Sequence, residues 1–132
     1  MVGDPIGDFI IRIKNASAVG KDTVSAPHSK MRLAVAEALA KKGYVKAVHN
    51  KKGKKTHKTI EIELRYDKNE KPAISGVKRV SRPGRRLYYR VHEIHPVKYG
   101  KGSLVLSTPK GIITDDVARK QRVGGEALFM IW

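Results

Sequence analysis

Ser107 and Lys110 stand in the S-x-x-K spacing of serine acylases, where a lysine amine can activate a serine hydroxyl. That chemistry also needs S-D-N and K-T-G segments, and the chain contains neither. His92-Glu-Ile-His95 spaces two histidines three residues apart beside Pro96. A zinc-protease helix needs them four apart, so the pair is not a metal motif. Glu61 and Glu63 alternate with Ile60, Ile62 and Leu64, which puts them on the solvated face of a strand rather than in an acid–base pair. The chain has no cysteine and no phosphate-cradling G-x-x-x-x-G-K-[ST] loop. These residues predict a protein that is not an enzyme, takes no small-molecule substrate and requires no metal or cofactor.

Other residues suit contact chemistry better. Lys78 to Arg90 holds Arg79, Arg82, Arg85 and Arg86 with no acid. As a strand, Arg86–Val91 would turn Leu87, Tyr89 and Val91 to the core and Arg86, Tyr88 and Arg90 outward. Guanidinium groups neutralise phosphate, and a tyrosine ring stacks on a base or sugar. Ser107-Thr108-Pro109-Lys110-Gly111 offers two hydroxyls on a loop stiffened by proline, suited to base edges and 2′-hydroxyls. A lysine cluster, Lys51, Lys52, Lys54, Lys55 and Lys58, lies where no acid occurs between Glu37 and Glu61, and it fits phosphate contact without base reading. A solvated hairpin tip would have the same composition.

The whole composition agrees. The 132 residues carry 28 Lys+Arg against 12 Asp+Glu, a net charge of +16, with 40% hydrophobic residues. Solubility needs far less charge, so the excess implies a polyanionic partner: RNA, DNA or an anionic membrane. Each half, 1–66 and 67–132, has 14 basic and 6 acidic side chains, so the charge belongs to folded units and not to a tail. The longest apolar runs, such as Ala127–Trp132, are far too short for a membrane span. Met1-Val-Gly-Asp-Pro5 lacks the regions of a secretory signal, which predicts a cytoplasmic protein with no membrane partner.

The elements that would carry these residues follow from caps and periodicity. Asp4-Pro5 starts a helix with Ile6, Phe9, Ile10 and Ile13 on one face, ending near Gly20. Thr23–Ala26 reads as a strand. Ser29 caps a second helix with Met31, Ala34, Val35, Ala38 and Leu39 on its stripe and Gly43 as its stop. Tyr44–His49 and the alternating run ending at Tyr66 are strands around a hairpin loop at Lys51–Lys55. Beyond a polar turn at 67–72, strands are expected at Ala73–Val80, Arg86–Val91 and Ser103–Ser107, with a type II turn at Pro83-Gly84 and a short helical turn within His92–Tyr99. The Ser107–Gly111 loop should lead to a short helix capped by Thr114 and ended by Gly124-Gly125, before an apolar terminal strand, Ala127–Trp132, central in a sheet. The expected fold is α+β: an α-β-α-β-β unit at 1–68 and a mainly β unit with a short helix at 69–132.

Asp4-Pro-Ile6, Ser81-Arg-Pro-Gly84, Ser107-Thr-Pro-Lys-Gly-Ile-Ile-Thr-Asp115, Ala118-Arg119 and Val123-Gly-Gly-Glu126 together resemble the family of bacterial small-subunit ribosomal protein eight, in order and across essentially the whole chain. The resemblance implies the same two-unit α+β fold, binding to the central domain of small-subunit rRNA, neighbouring small-subunit ribosomal proteins as partners, and a role in assembly. It implies RNA contact by Ser107, Thr108, Pro109, Lys110 and Gly111, with Tyr88 and Gly124-Gly125-Glu126 beside them. It further implies contact by Ser29 and Lys30 at the second helix start. Position 109 is Pro where many members carry Ser, so one hydroxyl is absent here. An architectural DNA-binding protein is the alternative that charge alone would allow.

Overall fold

The computed structural model describes residues 3–52 and 58–132. Helix α1 (Pro5–Ala18) starts where expected: the Asp4 carboxylate accepts the Gly7 amide at 3.1 Å. Strand β1 (Thr23–Pro27) leads to α2 (Lys30–Lys41), whose N-cap Ser29 accepts the Arg32 amide at 3.0 Å. Strands β2 (Val45–Lys52) and β3 (Lys58–Leu64) complete an antiparallel three-stranded sheet in the order β1-β3-β2. The alternation in β3 is realised: Ile60, Ile62 and Leu64 are buried. Lys51 and Lys52 belong to β2, paired with Thr59 and Lys58, instead of forming a loop. Residues 53–57, with Lys54 and Lys55, lie outside the described part.

The second sheet has the order β4-β8-β6-β7, with β5 also pairing β8. Its strands are β4 (Val77–Arg79), β5 (Tyr88–Tyr89), β6 (Ser103–Thr108), β7 (Gly111–Thr114) and β8 (Gly125–Ile131). The terminal strand β8 is central, as its apolar run predicts. A bulge interrupts its pairing: Leu106 faces Ala127 and Val105 faces Phe129, leaving Leu128 as the extra residue. Without the bulge, Leu128 and Phe129 would point to opposite faces. With it, both enter one cluster that includes Phe9, Ile10, Leu39, Ile60 and Ile62. This cluster therefore draws on both halves of the chain. A smaller one, around Ile94, Leu104, Leu106, Ala118 and Ala127, lies under α3 (Asp115–Gln121).

Several local expectations are corrected. The strand predicted over Arg86–Val91 shrinks to Tyr88–Tyr89, because the Arg90 amide is captured by the Glu93 carboxylate at 2.9 Å and Val91–Glu93 curls into a short 3-10 turn. The strand predicted over Ala73–Val80 is only Val77–Arg79. Gly84 does not take the positive φ that a type II turn requires, although Arg82 and Arg85 close the expected tight turn through two backbone hydrogen bonds. Ser107–Gly111 does not lead straight to a helix: β7 intervenes, so the segment is a hairpin. Thr114 precedes α3 but caps no amide with its side chain; its hydroxyl donates to Asp116. The helix ends at Gln121 on a left-handed Arg122 (φ 53°), and Gly125 already belongs to β8. Among the described residues no helix is long and apolar enough to cross a membrane.

Candidate nucleic-acid interface

Antiparallel pairing brings three of the predicted residues into one row. Tyr88 on β5 lies opposite Glu126 on β8, and Glu126 lies opposite Ser107 on β6. Directly opposed residues share a sheet face with Cβ atoms about 5 Å apart. Tyr88, Glu126 and Ser107 therefore form a continuous strip across three strands. The Tyr88 ring is 67% exposed, whereas Tyr89 packs on the smaller core cluster. The register expected from alternation is correct at this pair, even though the strand is short.

The glycines make the strip narrow. A Cβ on Gly125 would be driven onto the Ser107 carbonyl, and one on Gly124 onto the Tyr89 carbonyl. Only hydrogen fits between these backbones, so Gly124 and Gly125 act through close approach of β5, β8 and β6. They do not act as a helix stop.

Beside the strip, β6 turns into β7 through Pro109-Lys110, both exposed. Gly111, at φ 110°, supplies the left-handed step that follows such a turn; nothing lies near its missing side chain, so conformation and not space requires glycine here. The Thr108 hydroxyl is already committed. It donates to the Gly111 carbonyl at 2.8 Å and accepts the Lys110 amide at 3.1 Å. These two bonds lock the turn. Ser107, half-buried on the strip, is not spent in this way.

Glu126 is the electrostatic centre. Its carboxylate accepts the Ser81 hydroxyl at 2.6 Å and the Arg86 guanidinium at 2.9 Å. Ser81 in turn accepts the Leu87 amide at 3.1 Å. Burial alone would raise the Glu126 pKa, but the bonds from Ser81 and Arg86 and the positive charge of Arg86 outweigh it and hold the carboxyl below its usual range. Arg86 is raised in turn, chiefly by its bond to Glu126. Its guanidinium is thus half engaged internally, while its side chain stays 49% exposed.

A groove of about 380 Å³ extends the surface to the first sheet's side; Ser29, Met31 and Arg32 line one wall, Pro83 and Arg86 the other. Ser29 and Arg86 are thus brought together, although the Ser29 hydroxyl is occupied as a cap. Lys30 is exposed at the same helix start.

The sequence pattern of the family described as ribosomal protein S8 matches residues 4–132. The chain belongs to the ribosomal protein S8 family. Small ribosomal subunit protein uS8 of Persephonella marina is 47% identical over 136 residues, spanning all of both chains. Its counterpart in Lachnoclostridium phytofermentans is 47% identical over 133 residues, spanning 99% of this chain and 98% of its own. That of Ruegeria pomeroyi is 45% identical over 131 residues, spanning 99% and 100%. Members of the S8 family are structural proteins without enzymatic activity, and this chain is one of them.

Two residues of this S8-family surface escape a sequence reading. Ser81 is fully buried and ties the Arg82–Arg85 hairpin to Glu126. A small hydroxyl residue just before a Pro-Gly turn, inside an acid-free basic run, is the one available signal. Arg79, counted among the surface cations by sequence, is instead an internal partner of Asp4 at 3.0 Å.

Proposed function

We propose that this chain is a constituent of the small ribosomal subunit in the cytoplasm, that it binds the central domain of the subunit's rRNA directly, and that it supports assembly beside neighbouring ribosomal proteins. The observation that carries this reading is the Tyr88–Glu126–Ser107 strip. It joins an exposed ring, a fixed carboxylate and a hydroxyl on strands that the paired glycines hold close. Exposed Arg82, Arg85, Arg90 and Lys110 surround it and supply salt-dependent phosphate affinity. The strip supplies shape and base-edge recognition of an irregular RNA helix. Arg86, Ser29 and Lys30 extend the contact along the groove, and Thr108, Pro109 and Gly111 form the part of the contact at the turn. Lys55 is proposed as a phosphate contact on sequence grounds alone.

We likewise propose that residues 1–68 and 69–132 are two units. Sheet membership supports the division, since β1–β3 and β4–β8 form separate sheets. The shared cluster of Phe9, Ile62, Leu128 and Phe129 means that they should melt together.

Competition binding tests the RNA reading. A folded central-domain rRNA fragment should displace the protein from random duplex DNA at 0.15 M salt and above. Equal affinity for both would favour the DNA-binding alternative and overturn this proposal.

A further inference from the structure

At the opposite end of β6 from the Ser107–Gly111 hairpin, the chain makes a tight turn whose base is packed and whose tip is not. Lys98 (φ 51°), Tyr99 (φ 56°) and Gly100 (φ 86°) take left-handed backbone conformations in succession. Glycine does so freely, but lysine and tyrosine do so only under constraint. The constraint is visible. Gly100 and Gly102 amides donate to the Val97 carbonyl at 3.0 Å each, and the Lys101 amide donates to the Lys98 carbonyl at 3.1 Å. Val97 is buried at the base, and the Lys98 ammonium sits 4.6 Å from the centre of the Trp132 ring. This strained, pinned turn holds up a tyrosine that is 103% exposed, the most exposed large hydrophobic side chain described. Folding gains nothing from that ring, and strain of this kind gathers where a residue must be presented to a ligand.

The surroundings say which ligand. His95, Lys98 and Lys101 lie within four residues of Tyr99 in the chain, all exposed. No acidic residue occurs between Glu93 and Asp115, and this stretch holds both Tyr99 and the Ser107–Gly111 turn. A basic protein partner would be repelled here, whereas a polyanion is attracted. An aromatic ring among cations is the arrangement that stacks on an unpaired base while lysines meet the adjoining phosphates. We propose that Tyr99, with Lys98 and Lys101, is a second RNA contact that takes an unpaired nucleotide. It lies one strand length, about 20 Å, from the strip at Tyr88. It rests on the RNA-binding reading above and adds a separate site to it.

Binding of the full chain to intact small-subunit rRNA, measured with Tyr99→Ala, Tyr99→Phe and Tyr88→Ala, tests this. Loss of one stacked base corresponds to about a 5- to 150-fold weaker affinity. Tyr99→Ala should show a loss in that range, and Tyr99→Phe should retain wild-type binding because the ring and not the hydroxyl stacks. The losses of Tyr99→Ala and Tyr88→Ala should multiply in the double variant, since the two sites share no partner. Circular dichroism should show both folds intact. If Tyr99→Ala binds like wild type while Tyr88→Ala is weakened, the second contact is overturned and the primary RNA reading stands. If Tyr99→Ala binds RNA normally but fails to enter particles reconstituted with the other small-subunit proteins, the ring meets a protein, which also overturns the proposal. If the wild-type chain shows no preference for rRNA, the failure lies with the RNA reading itself.

Discussion

Arg79 and Asp4, 75 residues apart, form a forked ion pair: Nε reaches Oδ2 at 3.0 Å and a terminal nitrogen reaches Oδ1 at 3.1 Å. Another Arg79 nitrogen donates to the Leu128 carbonyl at 2.6 Å, at the bulge of β8. Asp4 meanwhile caps α1. One guanidinium thus ties the first helix to the centre of the second sheet. The Arg79 side chain is 10% exposed and that of Asp4 28%, so removal leaves a part-buried carboxylate with only water and the Gly7 amide to satisfy it. Arg79→Met should cost on the order of 2 kcal/mol, between the values typical of exposed and of buried pairs. Chemical denaturation of the variant beside wild type would measure it; a midpoint within error of wild type would mean that the fork contributes nothing.

The same pair sets an acid response. Burial acts to raise the Asp4 pKa, but the bond from Arg79, the Gly7 amide and the charge of Arg79 lower it overall. Asp116, with Thr114 and Lys42, and Glu126, with Ser81 and Arg86, are also lowered against the effect of burial. A carboxyl whose folded pKa lies below its unfolded value stabilises the fold in its ionised form. That contribution is fully present above the unfolded value, near pH 4, and is lost as pH falls through the lowered folded values. The melting temperature should therefore be flat from neutral pH to about pH 5 and drop below about pH 4. Arg79→Met should reduce the slope of that drop. A parallel decline in both proteins would remove Asp4 from the explanation.

Tyr88 and Tyr89 are adjacent but should answer opposite assays. Tyr88→Ala should leave the melt unchanged and weaken rRNA binding by about 1–3 kcal/mol, the worth of one stacked base. Tyr89→Ala opens the cluster that holds Leu104, Leu106 and Ala127 and should cost about 2–3 kcal/mol of stability. Paired melts and binding isotherms check both, and the reverse pattern would place the strand one residue out of register.

The glycines offer a graded comparison. Gly125→Ala must push β8 from β6 at Ser107, so both stability and RNA affinity should fall. Gly84→Ala meets nothing within 4 Å and needs no left-handed backbone, so it should be neutral or stabilise by about 0.4–1 kcal/mol through the unfolded chain. Thermal melts of the two variants decide this; tolerance at Gly125 would mean that the close approach is not required.

What the sequence discloses here is mostly local. Asp4, Ser29 and Gly43 mark helix ends because capping is a matter of a few neighbouring residues, and β3 announces itself by seven residues of alternation. Strand β7 is hidden because four residues are too few to show a period, and they follow a Pro-Lys-Gly turn that reads as loop. The end of α3 on Arg122 breaks the glycine rule, so the following glycines are read as its stop when they serve strand contact instead. The bulge at Leu128 and the Arg79–Asp4 fork depend on partners far along the chain, which no window of sequence contains. At the interface, residue types are legible but their commitments are not. The hydroxyl of Thr108 and the charge of Arg79 can be read from sequence, but the internal bonds that each makes cannot.

That distinction between Ser107 and Thr108 yields the sharpest prediction. Both carry hydroxyls, and both stand at the end of β6. Thr108 spends its proton on the Gly111 carbonyl and accepts the Lys110 amide, so its hydroxyl shapes the turn. Thr108→Val keeps the volume and removes both bonds, which should cost about 0.5–1.5 kcal/mol for each lost bond. Its effect on RNA should be indirect and should touch cognate and non-specific RNA alike, because a loosened turn misplaces Lys110. Ser107 faces Glu126 on the strip, and its hydroxyl is not bound into the turn. Ser107→Ala should leave the melt unchanged. It should weaken cognate rRNA by about 0.5–1.5 kcal/mol, more if it leaves a buried RNA polar group unpaired. Non-specific RNA should be spared, because the phosphate contacts remain. Measuring both RNAs at one salt concentration, beside the melts, separates the roles. Equal losses on both RNAs for Ser107→Ala would end its claim to specificity, and an unchanged melt for Thr108→Val would show that the turn holds without its hydroxyl.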